Sequence, residues 1–314
     1  MTTTLPVPPA LATATLEGVI AAAVTPLNPS GQLDLAALPH LIDFLAGRGC
    51  QGVLLLGTTG EGPSFSVAER TEVLREGLRH RAAAWPNLKL LAGTGCANLT
   101  DTITLTRAAF NLGADAVVTL PAFYYKGVSP AGLTAYFEQV IRQAVPATGR
   151  LLAYHIPQVS GVPIPAASIR ALRQSFPDQM WGMKDSQDDL PHTLDITGQF
   201  PGFHVFSGSD SILTDSLAGG AAGSITALAN VTSPLNRAVW DAHQNGAAAP
   251  EAQQALVRAR LVVKGLAGPS AMKAVLADLF GFPEWSVRAP LEPLPSDIRT
   301  RLSAAMAELL ATKL

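Results

Sequence analysis

The chain of 314 residues carries 22 Lys and Arg against 24 Asp and Glu, a formal net charge of −2, and 48% of its residues are hydrophobic. Charged residues make up 15%, against about 25% in an average protein, which excludes a mainly disordered chain. The near-neutral balance gives no electrostatic support for nucleic-acid or anionic-membrane binding, so we expect small molecules or copies of the chain as partners.

The first residues, 1–15, are rich in Thr, Pro and Ala and are predicted to form a flexible arm. They lack the basic start and apolar core of a signal peptide, and no apolar run approaches the roughly 18 residues of a spanning helix, so a cytoplasmic protein is expected. Cys50 and Cys96 have neither CxxC spacing nor a nearby His at ligand spacing. We therefore predict two buried thiols and no metal site.

Eight short apolar runs follow, each ending near Gly, Thr, Ser, Pro or Asp, with amphipathic segments between them. The predicted strands cover residues 18–27, 52–58, 89–95, 116–122, 151–157, 180–186, 204–210 and 222–229. The predicted helices cover residues 35–48, 67–81, 100–112, 130–144, 165–175 and 211–218. Strands that are apolar on both faces indicate a parallel sheet covered by helices, and eight such units close into a (β/α)8 TIM barrel, here residues 16–232.

Beyond the eighth run the pattern is helical only. Helices are predicted over residues 233–246, 251–266, 270–279 and 296–310, and a connector over 289–295 holds three prolines. This tail has no sheet of its own, so we expect residues 233–314 to form a C-terminal helical extension packed on the barrel.

Reactive groups in a parallel barrel lie at the carboxyl ends of the strands. The second predicted strand ends in Gly57-Thr58-Thr59-Gly60-Glu61-Gly62, whose glycines expose backbone N–H groups beside two hydroxyls. We call residues 57–62 the threonine turn. It is suited to hold a small anion such as a carboxylate. A tight strand–helix loop without a ligand is the alternative interpretation.

Lys184 differs from the other lysines because it lies near the carboxyl end of a predicted buried strand. Period-two alternation directs Gly182, Lys184 and Ser186 to one face, which we expect to be the barrel lumen. A buried ammonium without a partner is costly, so the neutral amine is favoured, and a neutral amine condenses with ketones. The alternative is a lysine paired with a barrel carboxylate.

Tyr154 lies one strand earlier and could pass protons to a carbonyl held at Lys184. Tyr124-Tyr125 adds two of the four tyrosines at the same end of the barrel, although a buried tyrosine is often structural. His155 is expected to face the helices. The small residues over 219–224 suggest either a phosphate-binding loop or, since no cation adjoins them, tight packing.

Four motifs occur together: Gly57-Thr58-Thr59-Gly60-Glu61, Tyr124-Tyr125, Tyr154-x-x-Pro157-x-x-x-Gly161 and Gly182-Met183-Lys184-Asp185. In this order, and from Gly18 through the tail, the chain resembles the dihydrodipicolinate synthase / N-acetylneuraminate lyase family of class I, Schiff-base aldolases. The resemblance implies that Lys184 forms an imine with pyruvate or another 2-oxo acid and that Thr58 and Thr59 hold its carboxylate.

The same resemblance implies that Tyr154 relays protons and that Tyr125 reaches into the neighbouring subunit's site to complete a Thr58–Tyr154 relay. A homotetramer built as a dimer of dimers, without metal or organic cofactor, is the assembly that it implies.

One position departs from the synthase branch of the family. Where that branch has an Arg two residues after the Pro of the tyrosine motif, this chain has Val159. An apolar side chain cannot replace a bidentate cation, and losing such a contact costs about 1.5–3 kcal/mol. The tyrosine motif and Gly208-Ser209-Asp210-Ser211 are more similar to the lyase and sugar-acid aldolase branches, which implies a hydroxylated acceptor. The candidate acceptor-side residues are Ser186, Gly208, Ser209, Asp210 and Ser224.

The predicted function is therefore aldol cleavage, condensation or dehydration of a 2-keto-3-deoxy sugar-acid-like substrate. One alternative is 4-hydroxy-tetrahydrodipicolinate synthase, joining pyruvate to aspartate semialdehyde with another cation in place of the missing Arg. A second is a non-catalytic barrel that binds 2-oxo acids, which the presence of lysine, tyrosines and threonine turn opposes. A third, a phosphate- or flavin-binding barrel, predicts a yellow protein or bound phosphate.

Overall fold

The strands of the barrel pair in parallel and in chain order, and the sheet closes where the first strand pairs with the eighth. The computed structural model describes residues 15–311 of the chain. Within that range the strands are β1 (Gly18–Ala22), β2 (Gly52–Leu55), β3 (Lys89–Gly93), β4 (Ala116–Thr119), β5 (Leu151–His155), β6 (Met180–Asp185), β7 (His204–Ser207) and β8 (Gly223–Thr226). The predicted TIM barrel is confirmed, while residues 1–14 of the predicted arm lie outside the described residues.

Each strand begins within one residue of its predicted start and ends earlier than predicted. β2 ends at Leu55 rather than Thr58, because Leu56 takes a left-handed backbone conformation with φ 60°. The apolar runs continue into buried loops at the mouth of the barrel, where single backbone bonds such as Ala23 N–H to the Leu54 carbonyl persist beyond the strand ends. The apolar pattern therefore locates a strand and overestimates its length.

Helices cover the outside of the barrel. Within residues 15–311 they are α1 (Leu38–Gly47), α2 (Val67–Ala84), α3 (Leu99–Asn111), α4 (Pro130–Ala144), α5 (Pro157–Ser160), α6 (Ala166–Ser175), α7 (Leu190–Gln199) and α8 (Leu213–Ala218). The Ser66 hydroxyl accepts from the Glu69 N–H, and Glu69 accepts from the Ser66 N–H, so a capping box opens α2. The sequence patterns above do not predict α5 and α7.

The tail forms four further helices in the described range: α9 (Ala229–Gln244), α10 (Pro250–Val262), α11 (Gly268–Phe280) and α12 (Ser296–Ala311). α9 packs on β1 and α10, and α11 packs on α12, so the helical extension lies on the barrel. Residue 233, the predicted start of the extension, falls inside α9, which begins four residues earlier. No helix between residues 15 and 311 is both long and apolar enough to cross a membrane.

The lumen of the barrel is filled with apolar side chains below the strand ends. Its buried residues include Leu16, Ile20, Leu54, Leu91, Leu152, Phe206 and Ile225. At the amino end, the Trp181 ring stacks on His204 at 3.6 Å between centroids, and the Arg150 guanidinium lies 5.0 Å from the Trp181 ring. The barrel is a packed core with a closed floor rather than a pore.

A buried carboxylate joins two strands at the same amino end. Asp115, just before β4, accepts a hydrogen bond of 2.8 Å from the Leu90 N–H and lies 3.6 Å from both Arg81 and Lys89. This ion-pair group is remote from the carboxyl ends of the strands, where the candidate site lies.

Phe137 of α4 is fully buried against the barrel, so Phe137→Ala should lower the free energy of unfolding by about 3–5 kcal/mol, through lost contacts and an unfilled cavity. Urea unfolding followed by circular dichroism measures the change. Leu261→Ala is the control, because Leu261 is 62% exposed and its truncation should alter stability by less than about 0.5 kcal/mol. Equal losses in the two variants would contradict this packing.

Candidate active site

The pairing of β5 with β6 sets Tyr154 directly beside Lys184. Tyr154 belongs to the apolar cluster of the lumen, and Lys184 is also paired with Phe206, another lumen residue. The Lys184 amine lies 4.3 Å from the centroid of the Tyr154 ring, and Lys184 is 3% exposed. The structure thus places Lys184 in the lumen at the carboxyl end of β6, beside the tyrosine.

A β-bulge at Trp181 sets this register. Leu151 pairs with Met180 and Leu152 pairs with Gly182, so β6 holds one residue more than β5 between these pairs. Met180 packs in the outer core, whereas Trp181 contacts the lumen cluster. Without the extra residue, Tyr154 would pair with Met183 and Lys184 would face the helices.

Within residues 15–311 the Lys184 amine has no carboxylate partner. Among the residues that the structure describes, no ion pair within 4.0 Å involves Lys184. The neighbouring Asp185 points to the opposite face of β6, where it accepts from Thr193 at 2.8 Å and pairs with His192 at 2.9 Å. The alternative of a lysine paired with a barrel carboxylate is therefore not supported.

The helix-facing side of β5 and β6 carries a layer of hydrogen-bonded groups. Burial would raise the pKa of Asp185, but hydrogen bonds from His192 and Thr193 outweigh it and hold this pKa below its usual value. The same bond to Asp185 raises the pKa of His192. A raised histidine pKa and a lowered carboxyl pKa both favour the charged forms of this pair.

His155 faces this layer, as predicted, and burial lowers its pKa. His155, Asp185 and His192 bring ligand-type atoms within 4.8 Å of one another. However, His155 Nδ1 accepts from the Ile164 N–H at 3.1 Å, so its Nε2 carries the proton that is donated to Gln187 at 2.7 Å. Because both nitrogens of His155 are used, this cluster supports the strands and is not a cation site.

The Tyr154 phenol is in hydrogen-bond contact with the threonine turn. Its oxygen lies 3.2 Å from the Thr58 hydroxyl. Complete burial would raise the pKa of Tyr154, but the charge of Lys184 and polar contacts with Thr58, Lys184 and Ser186 outweigh burial and lower this pKa below its ordinary value. The phenol is thus adapted to give up and take back a proton beside the amine.

The threonine turn, residues 57–62, has a shape that its glycines permit. A Cβ on Gly60 would lie 2.8 Å from the Ala23 carbonyl oxygen, and one on Gly62 would lie 2.2 Å from that of Leu56. The Thr25 hydroxyl donates to the Gly60 carbonyl at 2.7 Å. Within residues 15–311, the N–H groups of Thr58 and Thr59 donate to no other residue, so they are available to an anion.

A narrow cavity lies between this turn and Tyr154. Its volume is about 10 Å³, room for roughly one water. The lining residues include Gly57, Thr58, Arg70, Gly93, Gly95 and Tyr154.

Arg70 of α2 is a site residue that sequence reasoning missed. Its buried guanidinium donates to the Gly93 and Gly95 carbonyls and to the Cys96 sulfur, and burial lowers its pKa. It forms no ion pair within the described range and adds positive charge beside the cavity. Nothing in the sequence distinguishes it from other arginines of an amphipathic helix.

Two acceptor-side candidates, Ser186 and Ser209, lie just after the ends of β6 and β7, and Ser186 contacts Tyr154. A Cβ on Gly208 would lie 2.0 Å from the Ser186 hydroxyl, so Gly208 gives Ser186 the space that it occupies. The Ser209 hydroxyl bonds to that of Ser211 at 2.8 Å. Ser186 and Ser209 therefore offer hydroxyls at the ends of β6 and β7.

Asp210 and Ser224 do not face the lumen. Asp210 accepts from Thr226 at 2.7 Å and from Asn236 of α9 at 2.6 Å, and burial raises its pKa. Ser224 alternates with the lumen residue Ile225, so it points to the helices, and its hydroxyl has no partner among the described residues. Strand alternation directs the Ser224 side chain toward the helices, and the Asp210 carboxylate is held by Thr226 and Asn236, so the expectation that these two side chains reach the acceptor is not supported.

Tyr124 and Tyr125 lie on the loop after β4, away from the Thr58–Tyr154 pair of the same chain. They are 73% and 71% exposed, and their rings meet edge to face at 5.3 Å. The glycines at 219 and 223 supply packing: a Cβ on Gly219 would lie 2.0 Å from Leu194, and one on Gly223 would lie 2.1 Å from the Gly18 oxygen. The packing interpretation of this loop is thus favoured over a phosphate-binding one.

A model of the dihydrodipicolinate synthetase family matches residues 15–309. The chain belongs to this family. An uncharacterised DapA-like lyase of Chloroflexus aurantiacus is 44% identical, covering 94% of this chain and 97% of that protein. 4-Hydroxy-tetrahydrodipicolinate synthase 1 of Streptomyces coelicolor is 34% identical, with 93% of each chain covered.

Solved structures of the family have the same fold. YagE, a prophage protein of the dihydrodipicolinic acid synthase family from Escherichia coli K12, crystallised with pyruvate, superposes with a TM-score of 0.88 at 27% identity. That match covers 95% of this chain and 100% of YagE. The family predicted from the motifs is confirmed, and the protein is an enzyme of the lyase type.

Tyr154 should ionise at a lower pH than an ordinary tyrosine, because the charge of Lys184 and the polar contacts of the Tyr154 phenol favour the phenolate. Absorbance titration of tyrosinate should show an early step that Tyr154→Phe abolishes and that Thr58→Val moves to higher pH. Tyr136→Phe is the control: burial raises the pKa of Tyr136, so the early step should remain. An early step that survives Tyr154→Phe would contradict the proposed contact.

Proposed function

We propose that this protein is a class I lyase in which Lys184 forms an imine with pyruvate or another 2-oxo acid. The observation that carries the proposal is a buried amine that pairs with no carboxylate among residues 15–311 and lies 4.3 Å from the ring of a tyrosine that contacts the threonine turn. That arrangement supplies a nucleophile, a proton carrier and an anion site within one lumen.

The 2-oxo acid carboxylate binds the free N–H groups of Thr58 and Thr59, and the charge of Arg70 favours it further. The cavity at this place is smaller than a 2-oxo acid. We therefore expect the side chains around it to move apart when the acid binds.

The chemical steps follow from these positions. The Lys184 amine attacks the keto carbon, Tyr154 protonates the oxygen, and water leaves to give the imine. The imine accepts the electron pair released when a proton leaves the adjacent carbon, or when the bond from that carbon to an aldehyde carbon breaks. The resulting enamine adds to an aldehyde in the reverse direction, or expels a hydroxyl group as water from a 3-deoxy sugar acid.

The acceptor that we propose is a hydroxylated aldehyde, and the full substrate is a 2-keto-3-deoxy sugar-acid-like compound. Val159 is 63% exposed on α5, directly after the tyrosine strand, so no cation stands at the position of the synthase Arg. Gln158 beside it donates to the Ser186 carbonyl at 2.5 Å. Hydroxyls of Ser186 and Ser209 at this rim suit hydrogen bonds to sugar hydroxyls better than a second carboxylate.

The synthase reaction remains the second candidate, since the Streptomyces coelicolor relative is named for it. It requires a cation other than residue 159 to bind aspartate semialdehyde. A barrel that binds a 2-oxo acid without reaction is the third candidate and predicts binding without imine formation.

We further propose that the protein forms a dimer and that two dimers assemble into a tetramer. Tyr124, Tyr125 and Val128 form an exposed apolar group beside the mouth of the barrel. A second chain that covers them would place Tyr125 at its partner's site, where the phenol extends the Thr58–Tyr154 pair.

Incubation with pyruvate and borohydride should label the peptide that holds Lys184, with a mass increase equal to pyruvic acid less one oxygen atom. Lys184→Met should abolish the label, because the nucleophile is absent. Lys264→Met, which removes an exposed lysine after α10, is the control and should leave the label intact. An unlabelled wild-type protein that still binds pyruvate would favour the non-catalytic alternative.

Val159→Arg should raise kcat/KM for aspartate semialdehyde by about ten- to a hundredfold, since it restores a charge-assisted contact to the second carboxylate. Val159→Leu, which keeps the position apolar, should leave it unchanged. The wild-type enzyme should prefer glyceraldehyde over aspartate semialdehyde in condensation with pyruvate. A wild-type preference for the semialdehyde would support the synthase instead.

A further inference from the structure

A buried ion pair connects the threonine turn to the helical extension. Glu61, in the turn, pairs with Lys273 of α11, and both side chains are almost completely buried. Lys273 also donates to the Ser286 carbonyl at 2.7 Å, and the second oxygen of Glu61 accepts from the Arg288 N–H at 3.0 Å. The Glu61 carboxylate is therefore held by Lys273 and Arg288, two residues of the extension that are far from the threonine turn in sequence.

The segment between α11 and α12, residues 281–295, is itself fixed to the barrel. Ser286 donates to the Asn28 carbonyl at 2.6 Å, and the Arg288 side chain donates to the carbonyls of Gly31 and Ser64 and pairs with Glu69. Asn28 and Gly31 precede the threonine turn in sequence, and Ser64 and Glu69 follow it. The extension thus holds Glu61 against a rigid frame.

The turn needs such a frame because its backbone is strained. Leu56 and Glu61, the residues at either side of Thr58 and Thr59, have φ of 60° and 53°, in the left-handed region that non-glycine residues rarely adopt. Such conformations persist when surrounding contacts determine them. For Glu61 those contacts are Lys273 and the Arg288 N–H.

Stability alone is a weak reason for this pair. Removing two charges from water costs much of what their attraction returns, so a buried ion pair is often no more stable than apolar residues of similar size. The Glu61–Lys273 pair instead provides a fixed geometry, because a charged pair with further hydrogen bonds has one preferred arrangement.

We propose that Glu61 is a positioning residue: through Lys273 it fixes the threonine turn so that the N–H groups of Thr58 and Thr59 converge on the 2-oxo acid carboxylate. This inference rests on the proposed function for its ligand. Glu61 does not touch the substrate, so its loss should weaken binding of the 2-oxo acid and leave the reactivity of the Lys184 amine nearly unchanged.

The test compares Glu61→Gln with the wild-type enzyme in borohydride trapping at increasing pyruvate concentration. The concentration that gives half the maximal trapping rate should rise about tenfold, while the rate at saturation should stay within about threefold. Asp115→Asn is the matched control, because it removes the carboxylate of another buried ion-pair group at the opposite end of the barrel. It should lower the unfolding midpoint without changing the half-saturating concentration.

Glu61→Gln leaves Lys273 buried without a counter-charge and could prevent folding. The double variant Glu61→Gln/Lys273→Met removes both charges and carries the same test, with the same expected rise. If the half-saturating concentration in the folded variants stays within about twofold of wild type while the unfolding midpoint falls, the pair is structural only and the inference is wrong.

Hydrogen exchange separates this inference from the proposed function. The Glu61 and Gly62 N–H groups donate within the turn to Thr58 and Gly57, and these amides should exchange faster in both Glu61 variants than in Asp115→Asn. If wild-type protein forms no imine, the proposed function fails, whereas unchanged exchange in the Glu61 variants overturns the positioning role whether or not an imine forms.

Discussion

The pairing of Tyr154 with Lys184 across β5 and β6 is the contact on which the candidate site depends. Adjacent residues of a strand face opposite sides, so a shift of one position would exchange Lys184 for Asp185 in the lumen. The bulge at Trp181 fixes the pairing, and Trp181 is held in turn by its stack with His204 and the nearby Arg150. The orientation of the Lys184 amine is thus determined near the floor of the barrel, by the bulge at Trp181.

The two faces of the same strand ends have separate chemistry. Toward the lumen, Lys184 lies beside Tyr154, which contacts Thr58, and no carboxylate pairs with the amine in the described part of the chain. Toward the helices, Asp185 is bound by His192 and Thr193. Asp185 is the carboxylate nearest to Lys184 in sequence. Because it is bound by His192 and Thr193, it does not pair with the Lys184 amine. The amine is kept available through the placement of its neighbour.

Local sequence patterns were sufficient for the barrel, the starts of its strands and the lysine at the end of β6, since apolar periodicity and strand polarity are local properties. The polar composition of the strand ends favours Ser224 and Asp210 as acceptor contacts, whereas Ser224 alternates with the lumen residue Ile225 and Asp210, beyond the end of β7, is bound by Thr226. Alternation from Met180 would also have failed, because the bulge interrupts it. The Glu61–Lys273 pair spans 212 positions, and no local pattern reports a contact of that range. Arg70 was missed for a related reason, since its significance arises from carbonyls of another element.

The closed amino end of the barrel limits the routes into its lumen. Over residues 15–311, apolar side chains such as Leu16, Ile20 and Leu152 fill the lumen and the Trp181–His204 stack covers its amino end, so substrates of the proposed reaction should enter and leave at the carboxyl end. Under the proposed function, a keto acid bound at the threonine turn beside Tyr154 should bind before the aldehyde and leave after it, which would give an ordered addition of the two substrates.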